Sequence, residues 1–273
     1  MPSKSVLITG VCGVLGGAIH RQLARHPARF DLWGLDSLSA PRQDLLPDWT
    51  PNIPAGRLTV GDVADFDLVT RALEGMDVVI HMAAVTDPAA PWEQLLRTNI
   101  AGTHNVFEAS RQAGVHRVIL ASSVRVSFGY YLVEPYRSIF DERFADVPDP
   151  IPLVTHRMPT WPVGDYSAGK IWAEALAHSY AVQFYLPSFC LRVGGVAPDG
   201  QPWTERGMDT SIWCSLRDLC QLVERCLDAP VAAGQFDVFY AVSDNRYRWV
   251  DIDHARQVVG YVPQDGLQDD PPG

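Results

Sequence analysis

The sequence predicts an α/β fold built on a doubly wound parallel sheet. Of its 273 residues 47% are hydrophobic and 20% are charged, a balance typical of a globular domain. Over the first 120 residues, short apolar runs rich in Val, Ile and Leu alternate with helical patterns. Continuously apolar strands indicate a parallel sheet covered by helices on both faces, and right-handed crossovers then give the doubly wound arrangement.

The elements follow that alternation along the first half of the chain. Each predicted strand is a short apolar run bounded by turn residues, and each predicted helix carries an apolar face. Strands are predicted at 5–9, 30–35, 57–60, 77–83 and 117–122. Helices are predicted at 14–25, 66–73 and 92–113.

Segment 129–162 interrupts the alternation. Its six prolines exclude a long helix or a central strand, and its aromatic residues indicate an ordered, packed loop. Such a loop is either functional or a surface excursion with its own small apolar cluster. Beyond it, helices are predicted at 165–184 and 250–259, and strands at 188–193 and 236–242. A capping box, Ser215 to Asp218, predicts the start of a further helix. The acidic, proline-ended tail 265–273 is predicted to be loosely held.

Composition excludes several classes of partner. The formal net charge of −10 argues against nucleic acid, whose phosphates require a basic face. No apolar run approaches the roughly 18–20 residues of a membrane span. The five cysteines form no Cys-x-x-Cys pair and follow no secretory signal, which predicts reduced thiols, no metal site and a cytoplasmic location.

The first chemical signal is a glycine-rich turn between a strand and a helix. Gly10, Gly13 and Gly16 allow the backbone to approach a pyrophosphate at the helix N-terminus. Asp36 follows 20 residues later, at the end of the second strand, where a carboxylate binds ribose hydroxyls and repels a 2′-phosphate. The sequence therefore predicts NAD rather than NADP as cofactor, and Arg42 lies well beyond the strand end.

The second signal is a tyrosine and a lysine four residues apart. Tyr166 and Lys170 share one face of a predicted helix, and a nearby cation lowers the pKa of a tyrosine enough for it to act as a base near neutral pH. Ser123 follows the fifth predicted strand, at the edge of a doubly wound sheet where ligands bind. An ordinary exposed pair is the alternative for Tyr166 and Lys170 alone.

Taken together, these motifs resemble the extended short-chain dehydrogenase/reductase superfamily, in which a Rossmann fold carries an NAD-dependent epimerase or dehydrogenase. Further landmarks are residues 62–63, 81–84 and Asn99. The resemblance implies that Asp62 and Val63 flank the adenine and that Ala83 lies near the cofactor. It also implies that Ser123, Tyr166 and Lys170 form the catalytic group. Tyr166 and Lys170 therefore count among the cofactor-binding residues as well.

The C-terminal part resembles bacterial NAD-dependent uronate dehydrogenases, which oxidise the anomeric carbon of a hexuronic acid. The similar segments are 191–194, 211–219, 242–243 and 260–265. That family has Asn-His after the catalytic serine, where this chain has Val124 and Arg125. Its substrate-binding arginine precedes the segment that begins here at Ser211; in this chain Arg206 is displaced and Met208 takes the nearest place.

The sequence thus predicts a single Rossmann-type domain, 1–273. It consists of a dinucleotide-binding half (1–128), a substrate-side loop (129–162), and a catalytic helix with a small C-terminal substrate-binding portion (163–273). The predicted partners are a small-molecule substrate, with no nucleic acid or membrane. Superfamily resemblance also implies a homodimer through the helices at 92–113 and 165–184.

The predicted function is that of an NAD-dependent oxidoreductase acting on a hydroxyl of a free sugar, sugar acid or similar small alcohol. Arg125 or Arg192 is expected to bind a substrate carboxylate, with a structural ion pair as the alternative for either. One alternative function is a nucleotide-sugar epimerase or dehydratase that retains its NAD. The other, from a different class, is a non-catalytic NAD-binding sensor, which has no physical need for Ser123, Tyr166 and Lys170 together.

Overall fold

The strands of the protein form a seven-stranded parallel sheet. The structure is a computed structural model, and it describes residues 3–44, 48–87, 89–202 and 210–268. The strands, in chain order, are β1 (Lys4–Thr9), β2 (Phe30–Asp36), β3 (Leu58–Val60), β4 (Val78–His81), β5 (Arg117–Ser123), β6 (Ser188–Val193) and β7 (Phe236–Ala241). Their order in the sheet is β3-β2-β1-β4-β5-β6-β7. The chain moves outward from β1 to β3 and then from β4 to β7, which confirms the predicted doubly wound Rossmann fold.

Helices connect the strands. They are α1 (Val14–Leu23), α2 (Phe66–Ala72), α3 (Trp92–Gln94), α4 (Thr103–Ala113), α5 (Tyr136–Phe140), α6 (Asp165–Phe184), α7 (Leu216–Asp228) and α8 (Asp253–Val259). The predicted helix 92–113 is a composite, because a π-helical segment, Leu95–Gly102, joins α3 to α4. The last helix begins three residues later than predicted, because residues 249 and 251 bond instead to Val154.

The chain divides into two compact units. The first contains residues Met1–Ala121, Gly164–Cys190 and Pro230–Asp237. Its core is formed by side chains of β1, β2 and β4 that are excluded from solvent, namely Val6, Ile8, Leu35, Val79 and Ile80. The second unit contains Ser122–Val163, Leu191–Ala229 and Val238–Gly273. The predicted divisions at residues 128 and 162 stay a prediction.

The turn after β1 tolerates only glycine at two positions. Gly10 has a positive φ of 71°, and a Cβ there would lie 2.7 Å from the backbone nitrogen of Ala83. A Cβ on Gly16 would lie 2.2 Å from the carbonyl oxygen of Gly10. The Gly10 N–H also donates to the Leu35 carbonyl at 2.8 Å. The turn is therefore packed directly against the carboxyl ends of β2 and β4.

In the second unit, segment 129–162 packs on its own aromatic side chains. The Tyr130 and Trp161 rings lie 5.7 Å apart, and Tyr131 lies 4.9 Å from Trp249. The Gly129 N–H donates to the Trp161 carbonyl at 2.7 Å, so the two ends of the segment meet. The prediction of an ordered, packed loop without a long helix is confirmed. A 3₁₀ helix, Val124–Leu132, leads into it, and another 3₁₀ turn, Phe144–Asp146, lies within it.

A buried carboxylate anchors the C-terminal segment of the second unit. The capping box is confirmed, since Ser215 Oγ accepts from the Asp218 N–H at 3.0 Å. The Asp218 carboxylate accepts from Ser243 Oγ and the Gln264 N–H, both at 2.6 Å. The prediction of a loose tail is wrong for residues 265–268, because Leu267 N–H also donates to Asn245 Oδ1 at 3.2 Å. Residues 269–273 lie outside the described residues.

We expect Gly16→Ala to destabilise the protein by roughly 3 kcal/mol or more. The added methyl group would overlap the backbone of Gly10, which cannot move without disrupting the turn. Gly13→Ala is the matched control: its Cβ would lie 3.3 Å from the same Gly10 oxygen. The control should cost less than about 1 kcal/mol. Urea unfolding of both variants measures the difference, and equal losses would contradict this account of the turn.

Candidate active site

The glycine turn leaves the N-terminus of α1 open to an anion. Gly13 is the N-cap residue, makes no side-chain capping bond, and is followed by a first turn without acidic residues. The first N–H groups of the helix and the positive end of its dipole therefore carry no built-in negative partner. This arrangement fits the pyrophosphate of a dinucleotide.

Asp36 is held in place by two backbone N–H groups. Its Oδ2 accepts from Cys12 at 2.8 Å, and its Oδ1 accepts from Leu38 at 2.9 Å. The residue is largely buried, and each carboxylate oxygen keeps a lone pair for a further donor. The carboxylate ends β2 as predicted, is fixed against the glycine turn, and can still accept hydrogen bonds from ribose hydroxyls.

Asp62 and Val63, which are predicted to flank the adenine, and Ala83, which is predicted to lie near the cofactor, have different surroundings in the structure. Ala83 lies against Gly10, and its N–H donates to Thr9 Oγ1 at 3.2 Å. Val63 is buried. Asp62 accepts from the Ala64 N–H at 2.9 Å and from Arg97 Nε at 2.8 Å, so its carboxylate ties the loop after β3 to the π-helical segment.

A neutral histidine lies below the turn. His81 Nδ1 is 2.7 Å from Thr9 Oγ1, and its Nε2 is 3.1 Å from Thr103 Oγ1. Thr9 Oγ1 accepts from the Ala83 N–H, and we assign its hydroxyl as the donor to His81 Nδ1. The ring proton of His81 is then on Nε2, which donates to Thr103 Oγ1. Burial, followed by the charge of Lys170, lowers the pKa of His81 to about 3. The uncharged ring links β1, β4 and α4.

Asn99 fixes the backbone that follows β4. Its Oδ1 accepts from the Val85 N–H at 2.8 Å, and its Nδ2 donates to the Val85 carbonyl at 2.9 Å. The residue lies in the π-helical segment Leu95–Gly102. Such segments are frequent at functional sites, and this one aims an amide at a loop beside the glycine turn.

Tyr166 and Lys170 lie one turn apart on α6, and both are buried. Lys170 Nζ is 5.8 Å from the centroid of the Tyr166 ring and donates to the Ala121 carbonyl at 2.7 Å. Burial lowers the pKa of Lys170 from 10.5 to about 8. The ammonium is therefore still mostly protonated at pH 7, and its bond to β5 fixes its position.

In the second unit, Ser123 is the last residue of β5 and the cap of the 3₁₀ helix that follows. Its Oγ accepts from the Arg125 N–H at 3.2 Å, which leaves the hydroxyl proton for another acceptor. The Arg125 guanidinium carbon lies 4.9 Å from the Phe128 ring centroid.

Arg192, also in the second unit, is buried in β6. Its Nη1 donates to the Tyr240 hydroxyl at 3.0 Å, and that hydroxyl is 2.7 Å from Ser127 Oγ. The guanidinium is therefore part of an internal polar chain. Arg192 is the last residue but one of its strand.

Sequence reasoning missed several of these contacts. Arg97, Ser127 and Tyr240 are separated from their partners by 35 to 113 residues and belong to no short motif. Arg206 and Met208, at the place of the uronate dehydrogenases' substrate-binding arginine, lie outside the described residues.

Two further features are absent from the described ranges. No group of three His, Cys, Asp or Glu side chains is placed there to hold a metal ion. No helix there is long and apolar enough to cross a membrane.

The fold and the glycine turn together define a dinucleotide-binding protein of the Rossmann type. The family model of the NAD dependent epimerase/dehydratase family matches residues 6–212. The chain therefore belongs to this family, which confirms the predicted resemblance, an enzymatic function and NAD as the cofactor.

Relatives span nearly the whole chain. An NAD-dependent glucose-6-phosphate dehydrogenase of Haloferax volcanii is 31% identical over 96% of this chain and 94% of its own. A uronate dehydrogenase of Pseudomonas putida is 31% identical over 98% and 86%. Among solved structures, a mutant uronate dehydrogenase of Agrobacterium tumefaciens complexed with NAD matches with a TM-score of 0.74 and 27% identity, over 97% of this chain and 86% of that one.

We expect Lys170→Met to stabilise the protein near pH 7, because it removes an ammonium whose burial lowers its pKa by an amount equivalent to roughly 3 kcal/mol. At Lys170 itself the unfolded chain binds more protons than the folded chain between pH 8 and 10.5, so the contribution of this residue to stability should rise with pH over that window. The variant should lose this rise.

The chain has only one other lysine, Lys4, and Lys4→Met is the matched control. Urea unfolding at pH 7 and pH 9.5 measures both effects. A Lys170→Met variant that is less stable than wild type at pH 7, with the same dependence on pH, would contradict a costly buried ammonium.

Proposed function

We propose that the protein is an NAD-dependent dehydrogenase that oxidises a hydroxyl of a free sugar, sugar acid or similar small alcohol. The observation that carries the proposal is the arrangement of Tyr166 beside Lys170, whose Nζ is fixed on the Ala121 carbonyl. The names of the relatives agree with it, since they include sugar and uronate dehydrogenases.

The three proposed catalytic residues have different tasks. Tyr166 takes the proton of the substrate hydroxyl, and Lys170 supplies a positive charge beside the phenol and holds the nicotinamide ribose. Ser123 orients the substrate oxygen with its hydroxyl proton, because the Arg125 N–H already donates to its Oγ. Bound NAD supplies the hydride acceptor.

We expect Tyr166→Phe to lower kcat by about 10²–10⁴-fold while NAD still binds, because the substitution deletes the proton acceptor and little else. NADH absorbance measures turnover, and fluorescence titration measures binding. Tyr185→Phe, at the exposed end of the same helix, is the control. Retention of most of the wild-type rate would remove Tyr166 from the mechanism.

The same assay separates the alternative functions. Net NADH formation with a free substrate supports the dehydrogenase. NAD that survives dialysis without net turnover supports an epimerase, and binding with no reaction supports a sensor.

We further propose that Arg125, rather than Arg192, binds an anionic group of the substrate. Arg192 already donates to Tyr240, whereas none of the described carboxylates pairs with Arg125. Arg125 stands two residues beyond Ser123 and presents a planar guanidinium suited to carboxylate or phosphate. The names of two relatives mention a uronate and a sugar phosphate, which are both anions.

We expect Arg125→Gln to abolish the preference for anionic substrates. The wild type should favour glucuronate or glucose 6-phosphate over glucose by at least about tenfold in kcat/KM, the effect of one charge-assisted hydrogen bond. The variant should treat the anionic and neutral sugars alike, and Arg137→Gln on α5 should keep the preference. Equal kcat/KM values in the wild type would exclude a charge-reading arginine.

Four broader assignments belong to the same proposal. The protein is a single Rossmann-type domain in which segment 129–162 lies on the substrate side. A homodimer uses the helices at 92–113 and 165–184, where Trp92, Leu96 and Val182 are exposed apolar residues. A cytoplasmic location is consistent with five buried cysteines that form no disulfide. The partners are limited to a small-molecule substrate, without nucleic acid or membrane.

A further inference from the structure

Arg42 lies much closer to the cofactor-binding residues than its place in the sequence indicates. It follows the end of β2 by six residues, but its N–H donates to the Cys12 carbonyl at 3.0 Å. The Cys12 N–H in turn donates to Asp36 Oδ2 at 2.8 Å. The chain after β2 therefore folds back, and Arg42 lies beside the glycine turn. The backbone of Cys12 connects it to the carboxylate of Asp36, which is proposed to bind the ribose.

An arginine at such a place is suited to a 2′-phosphate. A guanidinium offers a planar pair of donors that matches phosphate oxygens, and its charge offsets the repulsion from a nearby carboxylate. NADP differs from NAD only by the phosphate on this ribose. A free Arg42 would thus weaken the discrimination that Asp36 provides.

Arg42 is not free. Its Nε donates to Asp44 Oδ1 at 2.8 Å, and its Nη2 donates to Asp44 Oδ2. The hydrogen bond to Arg42 lowers the pKa of Asp44, so both partners are charged at neutral pH. The pair has no net charge, and two of the guanidinium nitrogens are already engaged.

We infer that Asp44 is a second specificity-determining residue for the cofactor, which excludes NADP by neutralising Arg42. Asp36 repels a 2′-phosphate directly, and Asp44 withholds the cation that would otherwise attract it. The two carboxylates act on the same phosphate by different means. Both side chains of the Arg42–Asp44 pair are about half exposed, so the pair contributes little to stability, and its removal leaves the fold intact.

Binding of NADH and NADPH to Asp44→Asn, followed by fluorescence without substrate, tests this inference independently of the sugar that the enzyme oxidises. We expect the ratio of the NADPH Kd to the NADH Kd to fall by roughly fivefold or more, which corresponds to about 1 kcal/mol. The gain should shrink at high salt, because the released cation is exposed.

Two controls separate the released arginine from a change in overall charge. Asp48→Asn removes one negative charge from the same stretch of chain but leaves the Arg42–Asp44 pair, and it should not change the ratio. Arg42→Gln combined with Asp44→Asn should restore the wild-type ratio. An unchanged ratio in Asp44→Asn, an equal fall in Asp48→Asn, or a gain that survives loss of Arg42 would each overturn the inference.

Discussion

The close approach of the glycine turn to two neighbouring strands is the constraint on which the first unit depends. Gly10 bonds to Leu35 of β2 and leaves no room for a side chain against Ala83 beyond β4, and Gly16 leaves none against Gly10. Three strand ends and the N-terminus of α1 are thereby brought to one place. The same approach that excludes a side chain exposes the backbone N–H groups that an anion needs.

Buried polar side chains hold this place rigid without adding charge to it. Thr9, His81 and Thr103 form one chain of hydrogen bonds, and Asn99 fixes both backbone groups of Val85. The bonds of His81 lie in the low-dielectric interior, where leaving a partner unpaired would cost more than the bond itself contributes. The network therefore specifies one arrangement of β1, β4 and the helix that covers them.

Each of the two units buries a cationic side chain that is held by hydrogen bonds. The chain has two lysines, and the fold buries one of them, Lys170, beside Tyr166. In the second unit, buried Arg192 is directed to Tyr240 and Ser127, which positions the 3₁₀ helix after Ser123. Arg125, near the start of that helix, keeps its guanidinium on an aromatic ring. The burial of Arg192 and its bond to Tyr240 therefore favour Arg125 as the proposed ligand of a substrate carboxylate.

The sequence by itself determined what depends on near neighbours in the chain. Apolar periodicity gave the strands and the bounds of α6, and fixed spacing gave the glycine turn, Asp36, the Ser215 cap and the shared face of Tyr166 and Lys170. Only the tertiary structure decided which distant groups meet. It formed the hydrogen bonds between Arg42 and Cys12, between Arg97 and Asp62, and between Asn245 and the tail that was predicted to be loose. Such contacts depend on the return path of the chain, which no local period encodes.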